Sequence, residues 1–428
     1  MSQHGADELT AAHPPRTAPT GVLQVVTLEA AEHPWEPGDG VLLAGYAYNG
    51  HVPGPVIEAT VGDTLLVRFI NRLPEPTSLH WHGIRAAAAA GGHDPAEPVA
   101  PGSSVEYRVD LPDAGTFWYR PGLHVQLERG MYGVIVVRDP AEPRLDGERL
   151  LVVDSVKLDR RGQIASPTTE VEHRCGRGGD LLLVNGVREP QMQIVAGQVE
   201  RWRVVNASSA RYLHLSLDGQ RFHILGTTGG LIAAPHPVAE LLMIPGGRYD
   251  LAVGPFHHGA TVALQALPYT RGAGTPARRR LATLHATESD GDSASPSVDL
   301  SRFCRVIAPL AGSTAESTRI VPLGGLLTGH EGQGQVHGSS HMDAAPARVG
   351  ELQVWELVND SGTDHPYHLH GFFFQVLDIN GAPPPYASWE DAVNVPARGR
   401  VRIVWLPDDR SNRWTGHCHS PQHHAAER

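Results

Sequence analysis

Cysteine is scarce. Cys175, Cys304 and Cys418 are the only three in 428 residues. That count excludes a disulfide framework for a chain of this size; a single Cys175–Cys304 bridge stays open. Long apolar runs are missing as well. A membrane-spanning helix needs about 20 consecutive apolar residues, and no stretch of that length occurs, so no membrane span is expected. The N-terminus has no basic start followed by an apolar run, so no secretory signal is legible. Sequence alone therefore leaves a cytoplasmic protein, or one whose leader has been lost. Positive charge is in deficit, with 35 Lys and Arg against 46 Asp and Glu. The net charge of -11 argues against non-specific binding of nucleic acid. Helical periodicity is also hard to find.

Short alternating runs between glycines and prolines fill the gap. Residues 61–70 (VGDTLLVRFI), 199–205 (VERWRVV) and 400–406 (RVRIVWL) each read as strands. Many short strands with frequent turn residues point to all-β barrels or sandwiches. A weak repeat runs through them. Gly62-Asp63, Gly197-Gln198 and Gly350-Glu351 each precede a strand, and these strands end at Asn71, Asn206 and Asn359 with the same spacing. Pro101-Gly102, Pro245-Gly246 and Pro396-Ala397-Arg398-Gly399 then open further strands. Self-similarity on this scale predicts three related domains. The expected divisions are a disordered segment at 1–20, domains at 21–140 and 141–287, a polar Ser-rich linker at 288–299, and a third domain at 300–428. The Gly/His/Ser-rich stretch 329–342 reads as a disordered loop.

Histidine is abundant, at 25 residues, and its clustering carries the chemistry. His417-Cys418-His419 is followed by His423. Neighbouring side chains in a strand point to opposite faces, so Cys418 would serve one metal while His417 and His419 serve another group behind it. Thiolate plus two imidazoles is the ligand set of a blue-copper electron-transfer centre, with His423 and His365 as the imidazoles. His80-Trp81-His82 places two imidazoles on one strand face, and His368 with His370 repeats that geometry. A single H-x-H pair is weak; two pairs together with the His-Cys-His strand are strong.

In their order, H-W-H-G, H-P-x-H-L-H-G and H-C-H-x-x-x-H resemble the copper motifs of three-domain, laccase-like multicopper oxidases of bacterial type. The middle part is similar too, in Asn185-Gly186, Arg203 to Ala207, and Pro245-Gly246-Gly247-Arg248-Tyr249-Asp250. The resemblance implies three cupredoxin-like Greek-key β-barrels. It implies a type 1 copper at His365, Cys418 and His423, a type 2 copper at His80 and His368, and a type 3 pair at His82, His370, His417 and His419. The implied reaction is one-electron oxidation of a donor at type 1, passage of electrons through Cys418 to His417 and His419, and reduction of dioxygen to water. Phenols, aryl amines or a metal ion are the expected donors, docking near His423. The five methionines are scattered, so no Met-rich stretch marks cuprous ion as substrate. A monomer is expected.

Three departures stand out. The family's W-Y-H-x-H motif aligns with Trp118-Tyr119-Arg120-Pro121-Gly122, held in register by Gln126 and Gly130-Met131-Tyr132-Gly133. Arg120 and Gly122 thus replace two type 3 ligands. Arginine has no lone pair to offer a metal. His124 reads as a channel or surface residue, with partial substitution as the alternative. The axial type 1 position falls on Arg428. Residues 85–94 (RAAAAAGGHD) leave Asp94 as the only nearby candidate for proton delivery. The expectation is therefore an oxidase impaired at its type 3 pair; the alternative is a copper-depleted protein acting by binding or assembly.

Overall fold

The computed structural model describes residue 14 and residues 16–86, 98–122, 124–168, 177–270, 276–288, 298–310, 319–323, 349–408, 410 and 416–418, with backbone alone at 124 and 416–418. Strands dominate these residues, as the alternation predicts. Thr64–Asn71 is representative: Leu65, Val67 and Phe69 are fully buried while Arg68 between them is exposed. That is the period-two pattern of a strand with one face on a core.

The strands form six sheets, in three pairs that follow the chain. The first pair sets Leu43–Tyr48, Leu23–Trp35, Thr64–Asn71 and Ser104–Asp110 against Ile57–Thr60, Gly133–Arg138, Gly115–Arg120 and His80–His82. Leu65, Phe69, Trp81 and Tyr119 lie in its core. The second pair runs from Gly147–Val156 to Arg279–Thr287, with a six-stranded and a five-stranded sheet around Trp202, Leu215 and Leu251. The third sets Arg319–Leu323, Gln353–Asn359, Gly399–Trp405 and Phe374–Ile379 against Ala392–Val395, His365–Leu369 and Gly416–Cys418. Among the described residues no sheet mixes strands from two of these groups.

The sequence repeat has a physical cause. Asn71, Asn206 and Asn359 are each wholly buried. Each Oδ1 accepts from the backbone N–H two residues on, at Leu73, Ser208 and Ser361. Each Nδ2 donates to backbone carbonyls on two segments: Glu75 and Val99, then Arg211, Met243 and Ile244, then Thr363, Val395 and Pro396. One amide thus satisfies carbonyls that burial would otherwise leave unpaired. The strand that ends in this asparagine always pairs in parallel with an early strand of its group, Leu23–Trp35, Gly147–Val156 or Arg319–Leu323.

Residues 16–20, expected to belong to a disordered segment, instead bond to the first sheet pair. Thr17 N donates to Pro112 O and Thr20 N to Gly62 O, while Arg85 Nη2 reaches Pro14 O. Prolines in the segment limit the freedom it loses on docking, and main-chain bonds hold it. The groups also pack on one another. Trp118, Leu127 and Tyr132 meet Val152, Val205 and Ala207 at the first seam, and Tyr212 and Ile244 meet Ala392 at another. No helix of the described residues is long and apolar enough to cross a membrane.

Candidate metal centre

His80 and His82 enter on a three-residue strand, and His368 and His370 on or just after the strand His365–Leu369. These strands belong to the first and third sheet pairs, and the four imidazoles meet where the pairs face each other. His82 stacks on His368 with ring centroids 4.0 Å apart. His80 lies 4.9 Å from His370, and His368 lies 4.7 Å from His370. All four are buried. One ring nitrogen each from His80, His368 and His370 falls within 4.8 Å of the other two. Imidazole is a donor suited to copper, zinc, iron or nickel, and three converging nitrogens fit a metal ion.

The cluster is held from behind. His368 Nδ1 lies 2.9 Å from the Asp391 carbonyl oxygen. A carbonyl only accepts, so Nδ1 carries the proton and the neutral ring's lone pair sits on Nε2. Asp391 is itself clamped by Arg248, whose Nη1 and Nη2 reach its two carboxylate oxygens at 2.9 and 2.7 Å. Burial raises the Asp391 carboxyl, but Arg248 and His368 outweigh it and hold the group below its usual range. His82, His368 and Asp391 also converge. Because the carboxylate is already engaged by Arg248, we read it as support for His368, not as a metal ligand. Arg248 is fully buried and belongs to the second sheet pair. Its Nε donates to Thr116 O in the first pair and its Nη2 to Thr228 O in its own. Asp250 beside it accepts from Thr116 Oγ1 and from Arg201 and Arg203.

Two further positions lie at the end of the neighbouring strand Gly115–Arg120 and just beyond it. Across the antiparallel pair His80–His82 and Gly115–Arg120, His80 lies opposite Arg120 and His82 opposite Trp118. Directly opposed residues share a sheet face, so the Arg120 side chain leaves on the His80 side. Gly122 follows, and a Cβ built there would lie 2.6 Å from Ser78 Oγ, the hydroxyl that accepts from Gly122 N.

Family comparison settles what this arrangement belongs to. Three family profiles, each described as multicopper oxidase, match residues 29–142, 155–258 and 320–427. The chain belongs to the multicopper oxidase family. Multicopper oxidase MmcO of Mycobacterium tuberculosis is 29% identical, over 90% of this chain and 82% of that protein. Cell division protein FtsP of Escherichia coli is 27% identical, over 89% of this chain and 82% of its own length. The solved multicopper oxidase of Campylobacter jejuni, described as a metallo-oxidase, superposes with a TM-score of 0.78 at 25% identity, covering 96% of this chain and 92% of that one. The fold is accordingly cupredoxin-like, and the family implies an oxidoreductase that binds copper and uses electron donors and dioxygen.

Against that family pattern, the structure brings His80, His82, His368 and His370 together. His365 is buried on the same strand as His368, with its Nε2 2.9 Å from Ser361 Oγ. The backbone of His417 pairs with that of His368, and Cys418 with Tyr367. His419, His423, Arg428, Asp94, Cys175 and residues 329–342 lie outside the described residues, as do the side chains of His124, His417 and Cys418. Cys304 is exposed. Asp391, Arg248 and Ser78 were not anticipated as site residues. The Pro-Gly-Gly-Arg-Tyr-Asp run was noticed as a resemblance, and its Arg248 was the one available signal.

Proposed function

We propose that this multicopper oxidase couples one-electron oxidation of a phenolic, aryl-amine or metal-ion donor to dioxygen reduction, with its type 3 pair incomplete. The reading takes His365, Cys418 and His423 as type 1 ligands, His80 and His368 as type 2 ligands, and His82, His370, His417 and His419 as what remains for type 3. It treats 21–140, 141–287 and 300–428 as the three domains. Copper, when bound, would supply single-electron transfer and a place for dioxygen to react. The chain's own residues orient and enclose that place. Asp391 fixes the His368 tautomer, Arg248 fixes Asp391, and burial of all four imidazoles excludes bulk water.

One observation carries the reading: four buried imidazoles from two separate sheet pairs converge, and their neighbour on the Trp118-Tyr119 strand is Arg120 instead of a histidine. A guanidinium offers no lone pair and repels a cation. Each type 3 copper would keep two imidazoles, and affinity falls with ligand number. Copper counting with paramagnetic resonance tests this. We expect type 1 and type 2 signals and less than a full complement of copper. A full, coupled type 3 pair in the parent protein would overturn the incomplete-cluster reading.

The repair is specific. Arg120→His with Gly122→His restores the family ligands, but Ser78 Oγ occupies the space that a Gly122 side chain requires. The triple variant with Ser78→Ala is therefore the proper test. Oxygen consumption should rise at least tenfold; a rate equal to the parent's would refute this account of the defect. A second reading, a copper-depleted protein that acts by binding, draws on the same Arg120 and on the likeness to FtsP. Copper content near zero after loading would favour it.

A further inference from the structure

A cavity of about 500 Å³ lies away from the imidazole cluster, with no histidine among its described lining residues. Three stretches frame it: residues 112–114 of the first group, the connection at 139–143 into the middle group, and residues 302–305 on the way to the third. Its walls carry both signs of charge, but out of balance. Asp113 is matched by Arg85, whose Nε donates to it at 2.8 Å. Glu142 is matched by Arg201, whose Nη1 donates at 2.8 Å. Asp139 accepts from Ala141 N at 2.8 Å. Arg302 and Arg305 line the same space, and among the described residues neither makes an ion pair of its own. Arg305 is half-buried and feels Asp113, Glu142 and Asp139 only through space. Among the described residues its side chain makes a single hydrogen bond, to the Gly229 carbonyl at 3.4 Å, which leaves most donors of the guanidinium unused.

Once the matched carboxylates are set aside, Arg302 and Arg305 stand against Asp139 alone. Val61, Pro112 and Leu231 add an apolar stretch to the wall. We infer that this cavity binds a small organic dicarboxylate, with Arg302 and Arg305 each taking one carboxylate and the carbon spacer lying against the apolar wall. A guanidinium is a planar fork that matches the two oxygens of a carboxylate. Two separate forks suit two separated carboxylates better than one compact phosphate. The volume falls in the usual range for small-ligand sites, roughly 300–1,000 Å³. The site stands on the protein's own donors and does not depend on the copper assignment.

Glutarate is the probe, on the full chain, with Cys304 as the reporter. That thiol is exposed and lines the same cavity. Glutarate should slow its alkylation by iodoacetamide several-fold and saturably, read by mass spectrometry of the Cys304 peptide, and calorimetry should show a single site. Arg302→Met, at an exposed position, should weaken glutarate binding about tenfold, as the loss of a hydrogen bond to a charged group does. Arg305→Met should do the same. Should Arg305→Met fail to fold, Arg302→Met decides, and Arg302→Lys should recover only part of the affinity. Glutarate affinity unchanged in Arg302→Met, or no protection of Cys304, would overturn the site. Inorganic phosphate that protects Cys304 as well as glutarate does would overturn the dicarboxylate assignment. Neither histidine nor copper takes part, so failure here leaves the oxidase reading intact, and failure of the oxidase reading leaves this site intact.

Discussion

The middle sheet pair and the outer two are built alike and used differently. All three have the buried asparagine clamp, at Asn71, Asn206 and Asn359. Among the described residues, only the outer two bring histidines to their mutual seam. The described residues of the middle pair give no imidazole to the cluster, yet its Arg248 touches all three groups: Thr116 in the first, Thr228 in its own and Asp391 in the third. The comparison teaches that a region without ligands can still determine where ligands sit. Outer sheets supply donors, and the middle sheets supply the charge that orients them.

The sharpest way to break this comparison is Arg248→Met. It leaves Asp391 buried without its counter-charge, which costs about 3–5 kcal/mol. Denaturant unfolding should show that loss, and, on the proposed reading of His368 as a ligand, copper content should fall with it. Arg248→Lys, which cannot hold both carboxylate oxygens in the same fork, should recover only part. Wild-type stability in Arg248→Met would mean that the middle pair is a spacer.

Asn206→Ala comes next. Removing an amide that serves three buried carbonyls and one N–H should cost about 2–4 kcal/mol. The matching changes at Asn71 and Asn359 should cost similar amounts if the three groups share one device. A loss confined to one of them would show that the repeat is kept in sequence and not in energetics.

A third test lies at the seam between the first and middle groups. Asp154 is buried near Tyr132 and Glu128, with Oδ1 accepting from Ser155 N. Burial raises its carboxyl to about 7 from a usual 3.8. The folded protein therefore holds this proton between about pH 4 and 7 while the unfolded chain has released it. Stability from this group is greatest below the unfolded value and falls as pH rises to 7. Asp154→Asn should stabilise the protein at pH 8, by about 2–4 kcal/mol, and little at pH 4. Thermal melts across that range check the sign; an equal effect at both pH values would mean that the carboxyl ionises normally.

The smallest effect concerns the turn that follows each clamp. Gly102 and Gly246 take a positive φ there, and the third copy has Arg398 at φ 56°. A side chain is strained in that conformation. Arg398→Gly should raise stability by about 0.5–1 kcal/mol, measurable as a melting shift. No gain would show that Arg398 makes a compensating contact.

Much of this was legible in sequence, and what was missed has a common cause. Strand alternation and the Asn repeat are local patterns, so 61–70, 199–205 and 400–406 could be read directly. His80, His82, His368 and His370 were legible because H-x-H on a strand already fixes a shared face. The Arg248–Asp391 pair was not. Its members lie 143 residues apart, and a buried ion pair imposes no period on either neighbourhood. Ser78 behind Gly122 was hidden for the same reason. The docking of residues 16–20 was missed because it rests on main-chain bonds, which composition does not encode.

Gly83, the last letter of H-W-H-G, has a cause outside its own motif. A Cβ there would lie 2.2 Å from Arg248 Nη2 and 2.7 Å from Asp391 Oδ2. The residue after His82 must be bare because two opposite charges, brought from elsewhere in the chain, close over it. A methyl group at position 83 would pry those charges apart, and the injury would surface at a histidine some 285 residues downstream while its immediate neighbours stayed in place.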